Sequence, residues 1–120
     1  MQRLMIADSS DVVRKVGRKI LSELNFLVTE ASSTLEAISR CQMDLPNILI
    51  VEAGMDGALD LIAAIRALPQ GKSCRIYYCV IEADLKKMML GKRAGADDFL
   101  LKPFDRKILT SVFGNYAVAA

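Results

Sequence analysis

The chain has no histidine and no tryptophan among its 120 residues. Without histidine it can build no Ser-His or Cys-His nucleophile pair, no histidine metal ligand and no phosphohistidine, so hydrolases of the common triad type are excluded. A carboxylate or a lysine could still act. Cysteine is sparse and odd in number: Cys41, Cys74 and Cys79 lie in no metal-ligand spacing. They read as small buried hydrophobes in a reducing compartment. No apolar stretch reaches the roughly 18 residues of a membrane span, and the N-terminus enters a strand without a signal-like segment. A soluble cytoplasmic protein with no membrane partner is expected. Neither sign of charge dominates, with 16 basic and 14 acidic residues. Composition therefore gives no reason to expect direct nucleic-acid binding.

What is present is a strict alternation of short apolar runs with segments of helical period, the signature of a βα protein. A chain of this length forms one domain over residues 1–120 and buries roughly two thirds of its unfolded surface, with no need of staples. Strand one is expected over Arg3 to Ala7, followed by a helix from about Asp11 capped by Ser9 or Ser10. Val12, Val13, Val16, Ile20, Leu21 and Leu24 supply its inner face, and Asn25 ends it. Strand two spans about Phe26 to Glu30, helix two Thr34 to Met43, and Leu45-Pro46-Asn47 breaks the chain before strand three, Ile48 to Val51. That run is apolar without alternation, as a central parallel strand covered on both faces should be. Helix three follows over about Ala58 to Leu68, strand four over Ile76 to Ile81 and helix four over about Asp84 to Ala94, with Gly95 as its left-handed close. A short strand Phe99 to Leu101 precedes a helix capped by Asp105 and running through about Tyr116, the rest of Val112 to Ala120 reading as a small-residue tail.

Two strands end in carboxylates: Ile6-Ala7 runs into Asp8, and Ile50-Val51 into Glu52. In an open parallel sheet ligands sit at the carboxyl ends of central strands, so these acids and Lys102, before Pro103, are expected to share a pocket. A plainer alternative is that the strand-end acid merely faces solvent.

The motifs Ile6-Ala7-Asp8, Ile50-Val51-Glu52 and Ala94-Gly95-Ala96-Asp97-Asp98-Phe99-Leu100-Leu101-Lys102-Pro103-Phe104 together resemble the receiver domains of bacterial response regulators, over essentially the whole chain. The resemblance implies the flavodoxin-like, doubly wound (βα)5 fold with parallel strand order 2-1-3-4-5. It implies a non-enzymatic signalling role, in which an aspartate at the end of strand three accepts a phosphoryl group beside Mg²⁺.

Several positions depart from that pattern. The acid pair expected after strand one is Asp8-Ser9, and a neutral hydroxyl is a weak ligand for a hard cation. Any Mg²⁺, held by Asp8, Glu52 and the Gly54 carbonyl, is expected to be weak, and no other cofactor is expected. The phosphoacceptor position is Glu52, whose carboxylate lies about one C–C bond, ~1.5 Å, further out than aspartate's. The switch hydroxyl at the end of strand four is replaced by Val80, and the switch aromatic is Phe99, which lacks a hydroxyl to hold it in water. The loop from Glu52 to Arg66 is about two residues short of the family's, and its Met-Pro turn is Met55-Asp56. Asp56 as a displaced acceptor is a further alternative.

These departures point to a pseudo-receiver that acts by protein-protein contact without phosphorylation. In the family's active state two acids, acyl phosphate, Mg²⁺ and lysine sum to about minus one; Asp8, Glu52 and Lys102 reach the same sum alone. A Glu-Lys pair at 4 Å is worth roughly 4 kcal/mol gross at an effective dielectric of 20, and about 1 or less net at an open site. The alternatives are a genuine phosphoacceptor in a phosphorelay and a small flavodoxin-like cofactor binder. Partners, whether kinase, phosphotransferase or output protein, are expected on helix four, strand five and helix five, where Lys86, Lys87, Lys92, Arg93, Arg106 and Lys107 cluster. The same face could pair two copies or take a nucleotide second messenger. Met88, Met89 and Leu90 cannot all face inward.

Overall fold

The computed structural model describes residues 1–116. Five parallel strands, β1 (Arg3–Ala7), β2 (Leu27–Ala31), β3 (Ile48–Glu52), β4 (Arg75–Val80) and β5 (Asp98–Leu101), form one sheet in the order β2-β1-β3-β4-β5. The helices α1 (Asp11–Glu23), α2 (Thr34–Met43), α3 (Ala58–Ala67), α4 (Leu85–Ala94) and α5 (Arg106–Phe113) connect and flank it, with a 3-10 turn at Gly71–Ser73. This is the flavodoxin-like order. Two cores follow from the side-chain alternation of the strands. Met5, Leu49, Val51, Ile76, Tyr78 and Val80 face α2, α3 and α4, whereas Leu4, Ile6, Ile48, Ile50, Tyr77 and Cys79 face α1 and α5. β3 is buried throughout except at Glu52, as its unbroken apolar run requires.

Local chemistry sets the helix ends. Ser10, Ser33, Asp84 and Asp105 each accept a backbone N–H of the first turn, and the left-handed Asn25 follows the close of α1. Between the two candidate caps of α1 the structure selects Ser10. β2 and β4 each sit one residue from their expected bounds, which leaves Ile81 outside β4 and 79% exposed. α5 ends at Phe113 rather than Tyr116, and the expected tail over 117–120 lies outside the described residues.

The inner face of α1 differs from expectation. Val12 and Val16 are exposed, and Arg14 and Gly17 take their place beside Ile20 and Leu21. The inward position at 17 takes glycine because a Cβ there would stand 2.9 Å from Ile6 Cδ1 and 3.4 Å from Phe104. Arg14 tolerates burial because its guanidinium is fully engaged: Nε donates to Glu30 at 3.2 Å, Nη1 to the Asp8 carbonyl at 2.6 Å, and Nη2 to Asp11. All three cysteines are buried and free. Burial pushes the Cys41 and Cys74 thiols up, to about 11 and about 12. They pack as small hydrophobes.

Candidate functional site: an acid pocket closed by its own donors

Asp8, Glu52 and Lys102 meet at the carboxyl ends of β1, β3 and β5. Asp8 is 1% exposed, an unusual place for a carboxylate unless both its oxygens are partnered. They are: Oδ1 accepts the Ser10 N–H at 2.8 Å, and Oδ2 pairs with Lys102 Nζ at 2.7 Å. The Asp8 main chain is pinned as well, its N–H donating to Ala31 and its carbonyl accepting from Arg14.

Glu52 is the meeting point of the site. Its Oε1 accepts two hydrogen bonds from Ser9, one from the backbone N–H at 2.9 Å and one from the hydroxyl at 2.8 Å. Its Oε2 accepts from Lys102 at 3.3 Å. Burial alone would raise the Glu52 pKa, but the two Ser9 donors and the Lys102 ammonium outweigh it and hold the group below its ordinary value. Burial would likewise lower Lys102, but Asp8 and then Glu52 hold it above its ordinary range. The site is charged, and its charges are mutually satisfied.

The floor of the pocket is Cys79, the register partner of Glu52 on β4. Burial dominates there and pushes its thiol up to about 12, so it stays neutral beneath the acids. Val80 is buried, and its carbonyl accepts the Lys102 N–H at 2.8 Å, which fixes the start of the cis Lys102–Pro103 segment. Phe99 is half-buried and packs against the cluster that contains Tyr78, Val80 and Ala96. Asp56 stands in the exposed turn after β3, with its carbonyl held by the Thr34 hydroxyl at 3.0 Å, and it makes no ion pair among the described residues.

This donor set fits Mg²⁺ poorly. All four carboxylate oxygens of Asp8 and Glu52 already carry protein donors, and Ser9, at the position of the family's second acid, uses its hydroxyl to donate. Among the described residues no group of three or more His, Cys, Asp or Glu could hold a metal ion.

Beside the pocket lies an apolar cleft of about 380 Å³, lined by Val12, Val13, Val16, Ile81, Lys102, Pro103 and Phe104. It explains where the outward valines of α1 go. The basic residues expected on one face lie on α4 and α5, the two helices that flank the edge strand β5. α4 packs on the Tyr78 side of the sheet and α5 on the Tyr77 side, so the two are separated by β5. Lys86, Lys87, Lys92, Arg93 and Lys107 are exposed, while Arg106 is engaged in an ion pair with Glu23 of α1. Two roles were missed in sequence: Ser9 as a donor to Glu52, and Arg14 as the anchor of the Asp8 main chain. The second had a signal in Glu30 at the end of β2, a carboxylate beside an otherwise apolar helix face.

The family model for the response regulator receiver domain matches residues 4–113. The chain belongs to that family. It is 27% identical to the transcriptional regulatory protein CseB of Streptomyces coelicolor, over 90% of this chain and 46% of that protein. It is 26% identical to the chemotaxis protein CheY of Listeria monocytogenes, over 87% of this chain and 88% of that one. The chain thus spans under half the length of CseB and most of CheY. Among solved structures, the chemotaxis response regulator CheY4 of Vibrio cholerae shares the fold at a TM-score of 0.89 and 24% identity, covering 94% of this chain and 96% of that one. The receiver domain of the sensor histidine kinase PA1611 of Pseudomonas aeruginosa, solved with magnesium in its active-site cleft, shares it at 0.84 and 20% identity, over 99% and 98% of the two chains. This is a receiver domain of two-component signalling. No helix among the described residues is long and apolar enough to cross a membrane.

Proposed function

We propose that residues 1–120 form a pseudo-receiver, a domain that signals from the cytoplasm by binding a partner protein and needs no phosphorylation to do so. The observation that carries this reading is the Ser9-Glu52-Lys102-Asp8 network, in which each carboxylate oxygen has a donor from the protein itself. A phosphoryl donor must approach an acceptor oxygen in line, with its charge neutralised. Glu52 meets neither requirement: its Oε1 is held by Ser9, its Oε2 faces the Lys102 ammonium, and the position of the second metal-binding acid is a serine. Mg²⁺ binding is correspondingly weak.

The network also bears on conformation. Lys102 is drawn to Glu52 and Asp8 with the formal charge of an activated site, Val80 has no hydroxyl to move, and Phe99 already packs against the Tyr78 cluster. This favours a domain held near its active form. The docking surface is α4 with β5, where Leu85, Met89, Leu90 and Leu101 are exposed among Lys86, Lys87, Lys92 and Arg93. An acidic, partly apolar protein surface suits it, and a second copy of the chain is a weaker match because like charges would meet.

Incubation with acetyl phosphate and Mg²⁺, followed by intact-mass measurement, tests the reading. No added phosphoryl group is expected, either in the wild-type chain or in Glu52→Gln. A phosphoryl adduct on wild type that disappears in Glu52→Gln would instead establish a genuine phosphoacceptor.

A further inference from the structure

β2 is an edge of the sheet, and its hydrogen-bond phase can be read from its two ends. Leu27 N–H donates to the Gln2 carbonyl at 3.0 Å, and the Ala31 carbonyl accepts from Asp8 N–H at 3.1 Å. In a parallel ladder alternate residues face the neighbour, so Leu27, Thr29 and Ala31 bond to β1. Val28 and Glu30 therefore turn their N–H and C=O groups to the free edge.

That edge is the floor of a groove of about 450 Å³, walled on one side by Arg14 and Arg18 of α1 and on the other by Glu36 and Arg40 of α2. The carboxylates in the groove are occupied. Glu30 is bonded by both Arg14 and Arg18, and Glu36 accepts the Ser32 N–H at 2.7 Å. The outer arginines are less committed: Arg18 uses one nitrogen on Glu30, and Arg40 stands 3.8 Å from Glu36, each with about half its side chain exposed. With Asp11 counted beside Arg14, three arginines face three carboxylates, and the donors left unused are those of Arg18 and Arg40. Beyond Thr29 it opens into a second hollow, lined in part by Met43 and Pro46.

We propose that this groove binds an extended acidic segment of a partner protein as an added strand on β2. The main chain of the segment would pair with Val28 and Glu30. Successive side chains of a strand point to opposite faces, so adjacent acidic residues would reach Arg18 on one wall and Arg40 on the other. A flanking apolar residue would meet Met43 and Leu27, which are 87% and 53% exposed. The site is distinct from the acid pocket and from α4.

The probe is the peptide acetyl-Thr-Val-Glu-Glu-Val-Thr-amide, followed by amide NMR of the full chain. Expected are saturable shifts at Val28 and Glu30, slowed exchange of those two amides, and weakening with salt. Arg18→Glu and Arg40→Glu should each weaken binding about fivefold, the scale of one exposed ion pair, while the spectrum of the free domain stays folded. The same peptide with alternate backbone nitrogens methylated should not bind. Equal binding of the methylated peptide, shifts confined to α4, or no shifts at millimolar peptide would each overturn the proposal.

Discussion

The acid pocket and helix α4 are neighbours in the fold and opposites in construction. In the pocket, Asp8 is 1% exposed, and each of its contacts is an ion pair or hydrogen bond with a defined donor. In α4 one residue, Gly91, is buried, and Leu85, Met89 and Leu90 face outward. Gly91 is the contact that seats the helix: a Cβ there would stand 2.4 Å from the Tyr78 ring. The difference is one of tolerance. The pocket has one satisfactory arrangement, because each lost donor strands a desolvated charge, whereas α4 has little to lose by shifting and much apolar surface to offer. A phosphorylated receiver must couple these two regions through a chemical change; in this chain the pocket's carboxylates already carry protein donors, while α4 keeps apolar surface exposed.

The largest expected effect breaks the pocket. Lys102→Met removes the shared cation and leaves Asp8 and Glu52 facing each other, so stability by urea unfolding should fall by about 3–5 kcal/mol. Lys87→Ala on exposed α4 should change it by less than ~0.5 kcal/mol. Equal losses from the two would erase the contrast. The next prediction concerns α4 alone. Gly91→Val forces a branched side chain against Tyr78 and should cost about 1–3 kcal/mol. Amide exchange should quicken over residues 85–94 while β1 and β3 stay protected; exchange that quickens across the whole sheet would show that α4 is no separate unit.

The smallest effect is in pH. Glu52 is held below its ordinary value of 4.5, so its contribution is present above that value and fades as pH falls through the folded pKa. Lys102 is held above its ordinary 10.5, so its contribution is present below that value and fades as pH rises through the folded pKa. Both hold in the window between. Between about pH 5 and pH 3 wild type should lose up to about 1 kcal/mol more than Glu52→Gln, the range of a solvent-screened pair. Parallel acid curves for the two proteins would show that Glu52 is not held by its donors.

Much of this was legible in the sequence, for reasons that differ by element. β3 announced itself because a strand covered on both faces needs no polar residue, and the meeting of Asp8, Glu52 and Lys102 follows from strand ends in a parallel sheet. α1 was misread because Val12 and Val16 extend the apolar stripe by one step. The inward positions went instead to a residue with no side chain, Gly17, and to a charged one, Arg14. Periodicity weighs hydrophobicity, and neither close approach nor a fully bonded guanidinium carries any. Ser9 was read as a candidate helix cap and a poor metal ligand; its bond to Glu52 depends on how the chain turns after β1, which no local pattern encodes.

The central claim is that the donors of Ser9 and Lys102 have taken the place of metal and phosphate around Glu52. An NMR titration with beryllofluoride and Mg²⁺ at ordinary concentrations tests it most directly. The amides of Glu52, Val80 and Phe99 should stay in place. Large saturable shifts at all three would contradict it.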